Sequence, residues 1–83
     1  METNRVIKVT PSARGRLFIE MADGRTGIFD TRPYLVSDYF RELEDETYFR
    51  QVRLFFRGVG WPNGQDFGPD TIATELQTHI EAA

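Results

Sequence analysis

Apolar and polar positions change period several times along the chain. Val6-Ile7-Lys8-Val9 is a short β-branched run that stops at Pro11-Ser12. Arg16-Leu17-Phe18-Ile19-Glu20-Met21 alternates, with Leu17, Ile19 and Met21 on one face, the period-two pattern of a half-buried strand. Asp23-Gly24 then separates two β-patterned runs, which predicts a hairpin with a type I′ turn, because that turn needs positive φ at both central residues. The third strand runs from Arg25 to Phe29, with Gly27 inside it marking a bulge or a close approach of another element.

From Asp30 the period lengthens. Thr31-Arg32-Pro33 turns the chain, and Tyr34, Leu35, Tyr39, Phe40 and Leu43 recur near helical spacing, with Ser37 as N-cap. Asp45 caps a second short helix over Glu46 to Arg50, turning Tyr48, Phe49 and Val52 inward. Glu42, Glu44, Asp45 and Glu46 are then a solvated rim between the two. Arg53-Leu54-Phe55-Phe56-Arg57 returns to a β pattern, and Gly58 reverses the chain into a fifth strand reaching Trp61. Pro62-Asn63-Gly64-Gln65 is a loop, after which Gly68-Pro69-Asp70 opens a last helix with buried stripe Ile72, Leu76 and Ile80.

These elements predict one α+β domain over residues 1–83: a mainly antiparallel sheet of about five short strands, two short helices on residues 34–50, and a longer C-terminal helix. The expected core is Val9, Leu17, Ile19, Ile28, Phe40, Leu43, Phe49, Val52, Leu54, Ile72 and Leu76.

Composition narrows the function. At 83 residues there is length for one core and not for two. With no cysteine, neither disulfides nor thiolate metal sites can staple the fold. The N-terminus lacks a basic segment followed by an apolar stretch, and no apolar run approaches membrane-spanning length. The expectation is a cytoplasmic protein without membrane association. The net charge of −3 is too small to mark a nucleic-acid binder by itself. Its distribution is uneven. Residues 1–33 carry Arg5, Lys8, Arg14, Arg16, Arg25 and Arg32 against Glu2, Glu20, Asp23 and Asp30, a net +2, while residues 58–83 carry four acids and no Lys or Arg.

No constellation for catalysis emerges. The single His79 has only Glu75 one helical turn away, and the seven glycines are scattered rather than gathered in a phosphate-binding loop. Asp30 and Asp66 stand beside turns, where a short carboxylate accepts backbone N–H groups. Metal, organic cofactor and covalent catalysis are therefore not expected. Aromatics interleave with Arg from Tyr48 to Arg57, as in single-stranded nucleic-acid binders, but four acids precede that segment. Phe55 and Phe56 cannot share one strand face, so one lies under a helix or at a contact surface. Trp61, beside Pro62, is either a core plug or an interface anchor.

Phe29-Asp30, Phe40-Arg41-Glu42-Leu43, Phe49, Val52 and above all Trp61-Pro62-Asn63-Gly64-Gln65-Asp66-Phe67-Gly68-Pro69-Asp70 give the chain a resemblance to the bacterial domain of unknown function 2442. The resemblance runs from about Val6 to about Leu76, and the closing Trp-Pro-Asn-Gly segment is its specific part. Phe67 and Gly68 depart from the pattern, where an aliphatic and a small capping residue are usual. It implies a small α+β fold and no defined activity. Relatives are often encoded beside a second small protein in toxin–antitoxin-like pairs, which implies a partner-binding module.

The leading functional expectation is thus a non-enzymatic protein-interaction module, the antitoxin-like half of a two-gene system. It would bind the neighbouring gene product, or a second copy, through Arg53, Phe55, Arg57, Trp61, Asn63 and Asp66. The alternatives are a nucleic-acid-binding regulator using Arg5, Lys8, Arg14, Arg16 and Arg25 on a basic ribbon, and a phage-borne inhibitor of a host defence complex. Asp66 is expected to accept loop N–H groups or cap the last helix, holding sheet, loop and helix in register.

Overall fold

The computed structural model describes residues 4–78. Strands β1 (Val6–Ser12), β2 (Arg16–Met21) and β3 (Thr26–Asp30) form an antiparallel meander, extended at its far edge by the two-residue β7 (Gln77–Thr78). Strands β4 (Arg53–Phe55), β5 (Gly58–Gly60) and β6 (Asp66–Phe67) form a second antiparallel sheet. The fold is α+β and antiparallel, as expected, but the single five-stranded sheet is replaced by two sheets. Each meander closes on its own local pairings, and a backbone hydrogen bond from the Val6 N–H to the Arg57 carbonyl, 2.8 Å, joins them.

Helices are short. A 3₁₀ segment, Asp38–Glu44, follows Ser37, whose hydroxyl accepts from the Tyr39 N–H. Asp45 then caps α1 (Glu46–Phe49), accepting from the Thr47 N–H at 3.0 Å and the Tyr48 N–H at 3.4 Å. Both caps stand where the sequence put them, but the first helix is 3₁₀ rather than α. Helix α2 (Pro69–Glu75) starts with Pro at its first position and ends at Glu75, before Leu76 of the expected stripe. Leu76 is already extended (φ −66°, ψ 122°), because the chain leaves the helix to pair with Gly27 and Ile28 on the open edge of β3. His79 and Ile80 lie outside the described residues.

The core is built where the two sheets face each other. Leu17, Ile19 and Met21 of β2 and Phe29 of β3 are buried with Val59 and Phe67 of the second sheet and Trp61 just after β5, roofed by Leu43, Tyr48, Phe49 and Ile72. Phe29 and Phe67 meet edge to face at 4.9 Å between ring centroids, and Phe67 stacks on Phe40 at 4.8 Å, the offset and edge geometries that aromatic quadrupoles favour. Two expected core residues are corrected. Phe29, opposite Leu17, points inward, so its neighbour Ile28 lies on the other face of β3, opposite Phe18 and only partly buried. Leu54 sits on an edge strand and is 46% exposed.

Local rules explain the remaining departures. Strand β1 continues through Pro11, paired with Leu17, because at a sheet edge the missing N–H costs no ladder bond. A register shift between Val6 and Lys8 makes Ile7 a bulge, which is how Val6 and Val9, three apart, both turn toward the core. Gly27 forms no bulge and pairs regularly with Ile19. At Ala22-Asp23-Gly24 only Gly24 has positive φ (97°), with its N–H donating to the Met21 carbonyl. That is a three-residue loop with glycine at its left-handed position rather than the expected type I′ turn.

Candidate functional site

The type I′ geometry occurs elsewhere, between β4 and β5. Phe55 pairs with Gly58, leaving Phe56 (φ 46°) and Arg57 (φ 68°) as the two central residues of the turn, both in the left-handed region. Such turns prefer Asn-Gly, and each non-glycine residue held there costs roughly 1–2 kcal/mol. The conformation is imposed by its surroundings. A Cβ on Gly58 would meet the Phe67 carbonyl oxygen at 2.2 Å, so β5 lies against β6 more closely than any other residue permits. The Arg57 carbonyl is in turn anchored by the Val6 N–H.

What this strained turn displays is apolar. Phe56 is 83% exposed, and its ring meets that of Phe55 edge to face at 4.6 Å. Phe55 lies over Gly60, whose absent side chain leaves the ring a floor. Across the sheet, Arg53, Gly60 and Asp66 are register partners in one row, so Arg53 and the Asp66 carboxylate stand on the same face with Phe55 beside them. Leu54 occupies the alternate face at the sheet edge. Since Phe55 and Gly58 close the hairpin, the backbone N–H and C=O of Leu54 point away from β5. The result is an edge strand bearing exposed Leu54, Phe55 and Phe56 between Arg53 and Arg57.

The loop that follows is a buried lock. Trp61 is 3% exposed, and its indole N–H donates to the Phe49 carbonyl at 2.8 Å. It is the core plug of the two readings and presents nothing to a partner. The Tyr48 hydroxyl donates to Gln65 Oε1 at 2.6 Å while accepting from the Asn63 N–H at 2.8 Å. Gln65 Nε2 donates to Glu42 at 3.1 Å, and Asn63 Nδ2 reaches both oxygens of the same carboxylate. The Tyr39 hydroxyl donates to the Gly64 carbonyl at 2.6 Å. Glu42 of the acidic rim is therefore a structural acceptor, and Asn63 is tied to it.

Of the six residues read from the sequence, Arg53, Phe55 and Arg57 come together on the hairpin, with Asp66 in the same row as Arg53. Asn63 lies in the adjoining loop. The Asp66 carboxylate is exposed and caps nothing: α2 has no side-chain cap. Its expected role in holding sheet, loop and helix falls instead to Gln65, buried beside it. Phe56 and Gln65 were not among the six. The signal for Phe56 was the pair Phe55-Phe56, of which both members turn out to be exposed rather than one.

The other candidates have structural employment. Asp30 accepts the Arg32 N–H at 2.9 Å and pairs with the Arg32 guanidinium at 2.7 Å, and that side-chain hydrogen bond holds its carboxyl below the usual range. On the basic ribbon, Arg25 is bound by Asp23 and Asn4, and Lys8 lies 3.9 Å from Glu20. Among the described residues no cluster of His, Cys, Asp or Glu could hold a metal, and no helix is long and apolar enough to cross a membrane.

The family model described as "Protein of unknown function (DUF2442)" matches residues 6–78. No curated protein and no solved structure matches.

Proposed function

Because the chain belongs to the DUF2442 family, for which no activity is described, we propose a function from its own surface: it is a protein-interaction module that recruits an extended, acidic-and-apolar segment of a second protein onto the edge of β4. The observation carrying this reading is the display of Phe56, 83% exposed, by two consecutive non-glycine residues at positive φ. Strain retained at an exposed apolar turn is a feature that a purely structural hairpin, free to use Asn-Gly, does not need.

The edge geometry supports strand addition, in which main-chain bonds supply affinity and side-chain contacts supply specificity. Leu54 offers the outward N–H and C=O, Phe55 and Phe56 offer contact area, and Arg53 and Arg57 favour carboxylates on the incoming segment. A second copy is a poorer occupant, since antiparallel pairing about Leu54 would gather two sets of Arg53 and Arg57 along one short seam. An antitoxin-like role toward the product of a neighbouring gene is the specific form proposed.

The test is co-expression with that gene product, followed by affinity measurement and amide exchange on the complex. Expected are protection over residues 53–57 and at least tenfold weaker binding for Phe56→Ser and for Leu54→Arg, with a moderate weakening by salt from the Arg53 and Arg57 contacts. Unchanged affinity in both variants would remove the hairpin as the site. Concentration-dependent dimerisation abolished by Leu54→Arg would make the occupant a second copy, and a steep salt dependence with DNA would favour the regulator reading.

A further inference from the structure

On elements other than the hairpin lies a cavity of about 230 Å³. Its floor is apolar, made by Leu35, Leu43 and Phe49, the last two almost fully buried. Arg14 and Arg32 add cationic groups to its lining, and Glu44 and Glu46 add acidic ones. The volume falls below the roughly 300–1,000 Å³ typical of drug-sized ligands, so the occupant is a molecule of about one amino acid's size.

The cationic lining is built rather than incidental. Arg14 sits at φ 63°, ψ 40°, the left-handed region, followed by Gly15 at φ 75°. This turn is clamped from beneath by Thr31, fully buried, whose hydroxyl donates to the Gly15 carbonyl at 2.6 Å and whose N–H donates to the same oxygen at 2.9 Å. Arg32 is fixed by its forked pairing with Asp30 and packs its stem against Gly15, where a Cβ would stand 3.2 Å from Arg32 Cγ. Arg14, by contrast, makes no ion pair or hydrogen bond with its side chain among the described residues, and neither does Glu44; Glu46 is paired with Arg50.

The geometry points to a binding site for a free α-amino acid with an apolar side chain, its carboxylate on Arg14, its ammonium toward Glu44 and its side chain on Leu35, Leu43 and Phe49. A guanidinium with no protein partner offers two parallel N–H donors to a carboxylate. The acidic groups disfavour a second negative charge and suit an ammonium. The apolar floor then selects an aliphatic or aromatic side chain over a polar one.

Amide-shift titration of the intact chain with leucine and phenylalanine tests this, with leucinamide lacking the carboxylate and N-acetylleucine lacking the ammonium. Expected are saturable shifts at Gly15, Leu35, Leu43 and Phe49 with the free amino acids, and at least tenfold weaker binding of both blocked analogues. Arg14→Gly separates binding from folding: it relieves the left-handed strain and should raise Tm, yet abolish the titration. Absence of saturable shifts at millimolar ligand, equal binding of either blocked analogue, or unchanged binding by the stably folded Arg14→Gly chain would each overturn the assignment.

Discussion

A Cβ on Gly58 would lie 2.2 Å from the carbonyl oxygen of Phe67, a separation no side chain can occupy. The contact is with backbone of the neighbouring strand and cannot be relieved by a rotamer change. Gly58→Ala should therefore cost about 3 kcal/mol, the upper range for overpacking, and should part β5 from β6. Denaturant unfolding measures it. Gly64→Ala, where nothing lies within 4 Å but φ is 105°, isolates the backbone strain alone.

Tyr48 and Gln65 carry the register of the Trp-Pro-Asn-Gly loop, and Asp66 does not. Tyr48→Phe leaves Gln65 Oε1 and the Asn63 N–H without their partner, so a loss of about 1–3 kcal/mol is expected. Asp66→Ala should change stability by less than about 0.5 kcal/mol. Thermal unfolding of the two variants side by side checks the contrast, and the reverse order would return the register to Asp66.

Relief of strain in the β4–β5 turn should be visible without any partner. Phe56→Asn substitutes a residue that tolerates the left-handed region and should raise stability by about 1 kcal/mol. A loss of stability would mean that the exposed ring packs productively in the free protein.

Tyr34 gives the fold a pH signature at the alkaline end. Its hydroxyl donates to Glu75 Oε2 at 2.6 Å, and chiefly through that bond, with burial and the carboxylate charge adding, its pKa is pushed up to about 12. The folded value lies above the ordinary 10.0, so the contribution is complete below pH 10 and is lost as pH rises through about 12. Tyr34→Phe should lower stability at neutral pH and flatten its decline across that window. Stability measured against pH, with tyrosinate absorbance alongside, tests both.

The strands of the first meander were legible because Leu17, Ile19 and Met21 alternate without interruption, and the caps Ser37 and Asp45 were legible because their side chains act on adjacent N–H groups. Local chemistry of that kind is written locally. The phase of β3 was not: Ile28 and Phe29 are both large and apolar, and only pairing with β2 decides which one faces inward. The type I′ turn was assigned to Asp23-Gly24, where composition favours it, and formed at Phe56-Arg57, where the fit of Gly58 against Phe67 compels it. The candidate site was half legible: Arg53, Phe55 and Arg57 lie on one hairpin, but Trp61 took the core. An aromatic residue beside Pro carries no mark of which side it will face.

The bond from Val6 to Arg57 and the pairing of Gly27 with Thr78 bring together residues distant in sequence, whereas β1–β2–β3 and β4–β5–β6 each close through near neighbours. In kinetic terms this orders the assembly, because local pairings form before the loop-closure entropy of distant ones is met. Pairing within the meander over residues 6–30 is expected to precede the docking of the two sheets, so Ile19→Val should slow folding. Docking of the second sheet comes later, so Val59→Ala should mainly speed unfolding, the two arms of a chevron plot separating them. The seam between the two sheets is then the last part to lock and the first to let go.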